Sequence, residues 1–214
     1  MKVIQPAKRA PILLIAGVTL FAVGCSNSDE NSDSAAPQKL TPLTEACGEI
    51  FTSDVISKIE DTRRGEELKK GVSLRGASEA ATAAAIQELN EGSKVGAAEP
   101  CTLNGDSGGD PELIIQFAWQ SGSFPTEQAQ PGTNAIYESA DETHALVIDC
   151  RRKDLLSTKA DQTVLRASLI DRIGLNSNSA AKVLIASAKK MTAGLKCAEE
   201  VRFPEPPKVN SDLK

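Results

Sequence analysis

Leu113-Ile114-Ile115-Gln116-Phe117-Ala118-Trp119 is the stretch that decides the fold. Leu113, Ile115, Phe117 and Trp119 alternate with Glu112, Ile114, Gln116 and Ala118, giving one wholly apolar face and one mixed face. Successive side chains of a strand point to opposite faces, so this period of two predicts a β-strand resting one face on a core. Residues 144–150 predict a second strand, with Leu146, Ile148 and Cys150 on its inner face. Residues 135–138 are expected to pair with it as a hairpin across 139–143. Residues 164–171 alternate Leu165, Ala167, Leu169 against Arg166, Ser168, Ile170, which fits a strand, with a helix as the alternative. The charged, glycine-broken stretch 63–76 reads as a loop with a short strand near Val72 and Leu74.

Between these strands the period changes. Ser78 is placed to cap a helix running to Asn90, with Glu79 in its first turn and Gly92 just past its end. Thr82, Ala85, Ile86 and Leu89 form its inner side. Residues 178–193 predict the longest helix, with Leu184, Ala188 and Met191 inside and Lys182, Lys189 and Lys190 outside. Lysines toward its C-terminal end suit the helix dipole, and Gly194 is a natural stop. A shorter helical patch spans 46–59, where Ile50, Phe51, Val55, Ile56 and Ile59 are apolar and Ser53 is the candidate N-cap. Strands mixed with two main helices, without a βαβ rhythm, predict an α+β domain with a small, mostly antiparallel sheet.

The chain begins with Lys2, Lys8 and Arg9, an uncharged run from Ala10 to Val23, and then Ala22-Val23-Gly24-Cys25. A basic tip, a short apolar run and small residues are the layout of a secretory signal. The run is shorter than the roughly 20 residues a permanent membrane helix needs. Its last four residues resemble the lipobox of bacterial lipoproteins. That resemblance implies transfer of a diacylglycerol to the Cys25 sulfur and cleavage after Gly24, leaving a protein lipid-anchored on the extracytoplasmic face of the cell membrane. Two acyl chains anchor stably where one is marginal.

Four further cysteines, Cys47, Cys101, Cys150 and Cys197, fit an exported domain with two disulfides. Their spacing contains no CxxC, which argues against a zinc ribbon or a thioredoxin-like centre. Three connectivities are open. Cys47–Cys101 with Cys150–Cys197 is the expected pairing, because each bridge then joins neighbouring segments. The layout therefore reads as signal 1–24, lipidated Cys25 and a polar tether to residue 43, a domain over 44–202, and a proline-rich, extended tail over 203–214. The tail reads as a frayed terminus.

Composition narrows the partners. The signal carries three cations and no anion, so the remainder holds 21 basic and 29 acidic residues, a formal charge of −8. Nucleic acid is thereby disfavoured. Outside the signal the aromatics are Phe51, Phe117, Trp119, Phe124, Tyr137 and Phe203, too few for a stacking platform for sugars or bases.

Gly105-Asp106-Ser107-Gly108-Gly109 resembles the nucleophile motif of chymotrypsin-like serine proteases, which implies Ser107 as nucleophile and the Gly105 and Ser107 amides as oxyanion hole. That family places its histidine before the serine. Here the single histidine, His144, follows it, and Asp110 replaces the usual proline. A lipidated Cys25 also leaves no free amine for activation. The string is therefore read as a polar turn, and no catalytic residue is assigned. Asn104, Asp106 and Asp110 are weak candidate Ca²⁺ ligands, without the distal glutamate and flanking helices of an EF-hand. His144 reads as a solvated or hydrogen-bonded strand-end residue, and Arg151-Arg152-Lys153 as a solvated loop. No cofactor is expected. Taken together the layout resembles surface lipoproteins of actinobacteria, which implies a non-enzymatic envelope protein that binds a protein or small ligand. An envelope hydrolase using carboxylates or Ser107, and a structural spacer, are the alternatives.

Overall fold

The deciding stretch forms the centre of an antiparallel sheet. The computed structural model describes residues 40–62, 68, 71–74, 79–91, 97–105, 110–140, 143–152 and 163–208. Their elements run α1 (Ser53–Glu60), β1 (Ser73–Leu74), α2 (Glu79–Asn90), β2 (Ala98–Asn104), β3 (Leu113–Ser121), β4 (Ala135–Ala140), β5 (Thr143–Ile148), β6 (Thr163–Asp171) and α3 (Ser177–Gly194), with 3-10 turns at Ala46–Gly48 and Thr126–Gln128. The strand order is β1-β2-β3-β6-β5-β4, and every neighbouring pair is antiparallel. The fold is α+β, as expected, and residues 164–171 lie in a strand.

Register explains why the sheet has one dry face. Ile115 opposes Leu169, which opposes His144; Phe117 opposes Ala167, then Leu146; Trp119 opposes Leu165, then Ile148. These three rows meet α3, whose Ala180, Leu184, Ala188 and Met191 are fully buried. Ala167 under the helix removes bulk where the layers approach. On the far face Ile114 and Ile170 share a row, and the Arg166 guanidinium donates to the Glu138 carboxylate at 2.9 Å across β6, β5 and β4. Helix α2 packs on β2, and α1 on α3. Ala85 and Leu89 of α2 are buried, whereas Thr82 is only half-buried.

The pairs Cys47–Cys101 and Cys150–Cys197 are both bonded. The first ties the 3-10 turn before α1 to β2; the second ties the exit of β5 to the exit of α3. Helix boundaries differ from expectation in three places. Thr52, not Ser53, stands at the N-cap position of α1, and Asn176 caps α3, its Oδ1 accepting from the Ser179 N–H at 2.9 Å. Gly194 is the last helical residue without a left-handed φ. Lys189 and Lys190 are exposed, but they stand before the last turn.

The domain also reaches beyond its expected limits. Thr41 exchanges backbone hydrogen bonds with Val72 at 2.8 and 2.9 Å, and Leu43 is buried, so the last residues assigned to the tether belong to the fold. At the other end residues 201–208 form neither helix nor strand, yet they are pinned to the domain, with Pro204 buried. Asn134 explains the pinning. Its side chain donates to Glu200 O at 3.0 Å and accepts from Arg202 N–H at 2.5 Å, and its own N–H donates to Arg202 O at 3.0 Å.

Candidate functional site

Several expected site residues lie outside the described residues: Cys25, Gly24, Asp106 and Ser107. Asn104 is buried at the end of β2, paired in register with Ser73. Asp110 is exposed, with Arg172 Nη1 3.2 Å from its carboxylate. These two therefore sit in different surroundings, and among the described residues no group of three or more His, Cys, Asp or Glu could hold a metal ion.

His144 is not a solvated residue. It is 3 % exposed, on the inner face of β5. Its Nδ1 lies 2.8 Å from Tyr137 Oη and 3.1 Å from Ser139 Oγ, and the Tyr137 hydroxyl donates to Ser177 O at 2.9 Å. With the tyrosine proton committed to Ser177, the network assigns the hydrogen to Nδ1, which donates to Tyr137 Oη. Burial pushes the imidazole pKa below its ordinary value, and the nearby Asp171 carboxylate opposes that shift. Burial raises the Tyr137 hydroxyl. Asp171, 4 % exposed, accepts from the N–H groups of Ile173, Gly174 and Leu175 at 2.9, 3.1 and 2.5 Å. The cluster thus fixes the β4–β5 hairpin and the β6 exit to the start of α3. An Nδ1 that donates cannot take the Ser139 proton, so this arrangement joins layers rather than activating a hydroxyl.

Arg152, expected in a solvated loop, is 3 % exposed. Its Nη1 donates to Leu89 O and Asn90 Oδ1, both at 3.0 Å, at the C-terminal end of α2. Trp119 Nε1 donates to the same Leu89 carbonyl at 3.0 Å. A cation there satisfies carbonyls that the helix leaves unpaired and complements its dipole. The alternation that places Ile148 and Cys150 inward also places Arg152 inward. That signal was present in the sequence, and the charge of the Arg151-Arg152-Lys153 run masked it.

A concave feature of the described surface is a trough that sequence reasoning missed. One wall is the outer flank of α3, with Lys182, Ile185, Ala186 and Lys189; the other is the extended segment Val201, Phe203, Pro204 and Pro206. Thr52 and Asp54 of the α1 start close one end, and this part encloses about 610 Å³. A second hollow of about 400 Å³, lined by Thr192, Leu195 and Cys197, meets the first at Lys189, Val201 and Phe203. From Lys182 to Leu195 the trough follows the helix for about 20 Å. The extended wall is held at Ala198, whose N–H donates to Arg151 O at 2.7 Å, at Asn134, at Gln130 through Glu205 N–H, and at Asn178 through Pro207 O.

Charge along the trough is uneven. The Lys182 ammonium and then the Thr52 hydroxyl hold the Asp54 carboxyl down to about 2. Both side chains of that ion pair are half-exposed, so solvent screening leaves its net contribution small. Lys189 is exposed at the junction of the two hollows, and its ammonium has no hydrogen-bond or ion-pair partner among the described residues. The chain matches no family model, and no curated protein or solved structure matches it. The trough is thus read from its own residues.

Proposed function

We propose that this chain is a lipid-anchored extracytoplasmic lipoprotein whose domain binds a partner or ligand in the trough, without doing chemistry on it. The observation that carries the binding reading is the trough itself: a preformed hollow of several hundred Å³ with an apolar floor and charged side chains to orient an occupant is a usual form of binding site. Two disulfides support an oxidising compartment, the setting in which such bonds persist. The basic tip, apolar run and Ala22-Val23-Gly24-Cys25 support processing after Gly24 and diacylglycerol on Cys25. An anchor of this kind leaves the domain free in the envelope, within reach of membrane-bound partners.

Two measurements test the reading. Cells labelled with a lipid precursor should yield a labelled, membrane-bound protein, and Cys25→Ser should yield an unlabelled one. A photocrosslinking residue at position 186 should form adducts in intact cells that the same residue at Ile170, on the far sheet face, does not. Lipid on the Cys25→Ser protein would overturn the anchor, and equal adducts from both positions would overturn the trough.

A further inference from the structure

Extended backbone turns the N–H and C=O of alternate residues to opposite sides. Arg202 turns both of its main-chain groups to Asn134. Glu200 O, two residues earlier, also accepts from Asn134 Nδ2; by this alternation Val201 and Phe203 turn theirs the other way, and among the described residues none of those groups has a hydrogen-bond partner. Both residues line both hollows. The wall of the trough is therefore an edge with two residues ready to pair, and it ends at Glu205, the next residue of that parity, whose N–H donates to Gln130 Oε1 at 3.3 Å instead. In antiparallel pairing two such alternate residues exchange four hydrogen bonds with an incoming chain.

We propose that the trough takes an extended peptide, which adds as a strand along Val201 and Phe203 and lays alternate apolar side chains on Ile185 and Ala186. The proposal rests on the trough being the binding surface and names what binds there. Main-chain pairing supplies affinity in this mode, while pockets for alternate side chains supply selectivity. Charge fixes one more feature. Asp54 is paired with Lys182 and Glu199 lies 3.9 Å from Arg151; Glu200 lines one hollow and Glu205 the other, while the Lys189 ammonium lines both and has no partner among the described residues. The peptide accordingly carries a carboxylate at its centre. A fatty acid would use Lys189 and the apolar floor but leave the four main-chain groups unpaired.

The test uses the full chain in detergent and a displayed library of random twelve-residue peptides. The tightest peptide, made synthetically, should slow amide exchange at Val201 and Phe203. Methylating its alternate backbone nitrogens, which leaves the protein untouched, should weaken binding about tenfold or more, the effect of losing two or so hydrogen bonds. Lys189→Glu should weaken it similarly, and Val201→Pro should do so by removing one donor. Peptides indifferent to N-methylation, or no enrichment above background, would overturn strand addition. Palmitate bound in the trough in place of any peptide would overturn it too, while leaving the trough as the binding surface. Failure of the position-186 crosslinks would instead remove the trough reading beneath it.

Discussion

Gly194, the last residue of α3, lies directly against Ile86 of α2: a β-carbon added at Gly194 would stand 2.7 Å from Ile86 Cδ1 and 2.9 Å from its Cγ2. The glycine that the sequence offers as a helix stop is needed for a different reason. It lets two helices touch where Asn90 Nδ2 also donates to Gly194 O at 3.2 Å. Isoleucine is stiff at χ1, so its Cγ2 cannot swing clear without moving α2.

Gly194→Ala should therefore destabilise the domain by about 1–3 kcal/mol, as overpacking does, although alanine is the better helix former. Ile86→Ala should relieve the clash, so that the double variant loses less than the two single losses combined. Urea unfolding of the four proteins measures this coupling. A Gly194→Ala protein as stable as the parent would show that the helices separate freely here.

The sheet was legible because period two survives composition: Leu113, Ile115, Phe117 and Trp119 admit no other reading, and all four pack on the core. The disulfide pairing was legible because each pair closes a segment that folds back on itself. What failed failed for physical reasons. Arg152 is a polar side chain whose burial depends on a partner from a distant element, Leu89, and the charge of its neighbours masked the alternation that turns it inward. His144 is hydrogen-bonded near the start of its strand, as one of its two readings has it, but its burial under Ser177 depends on α3. The trough was hidden because half of it is residues 201–206, whose anchor is Asn134, 68 residues before Arg202, and of which 203–206 fall in the stretch whose prolines and charges read as a frayed end.

Arg152→Met should cost about 2–4 kcal/mol, because it keeps the volume but leaves a buried helix end short of a donor. Trp119 still bonds Leu89 O, so the damage should concentrate at Asn90 and the last turn of α2. Arg152→Lys should recover only part of the loss, since a point charge replaces a planar fork. Hydrogen exchange along α2, with urea midpoints, measures both. Equal stability of the methionine variant would mean that the guanidinium is dispensable.

The two disulfides should fail differently. By the loop-entropy relation each bridge, spanning 54 and 47 residues, is worth about 4 kcal/mol at most. Removing Cys47 and Cys101 should lower global stability with the trough intact. Removing Cys150 and Cys197 should also release residues 198–208, because the bridge holds the exit of α3 beside Arg151. Brief native trypsin treatment should then cut after Arg202 in that variant and spare it in the other. Identical cleavage in both would mean that Asn134, Gln130 and Asn178 suffice to hold the segment.

His144 gives the domain a pH dependence whose sign follows from its surroundings. Its folded pKa lies below the ordinary value of 6.5, so between the two values the unfolded chain binds the proton and the native state does not. Stability therefore rises with pH across that window; the contribution is fully present above about 6.5 and is lost as pH falls toward the folded value. Protonation there would also place a cation beside the positive end of α3, whose first residue Ser177 accepts from Tyr137. The Asp171 carboxylate is the nearby group that favours the charged ring, and it is committed to three backbone N–H groups. Urea midpoints at pH 7.5 and 5.5 should differ for the parent, and the difference should shrink in His144→Gln even though that variant is weaker at both. Tyr137→Phe, which removes the acceptor of Nδ1–H, should lower stability at pH 7.5 while keeping the sign of the dependence. A His144→Gln protein with the parent's full pH difference would assign it to another group.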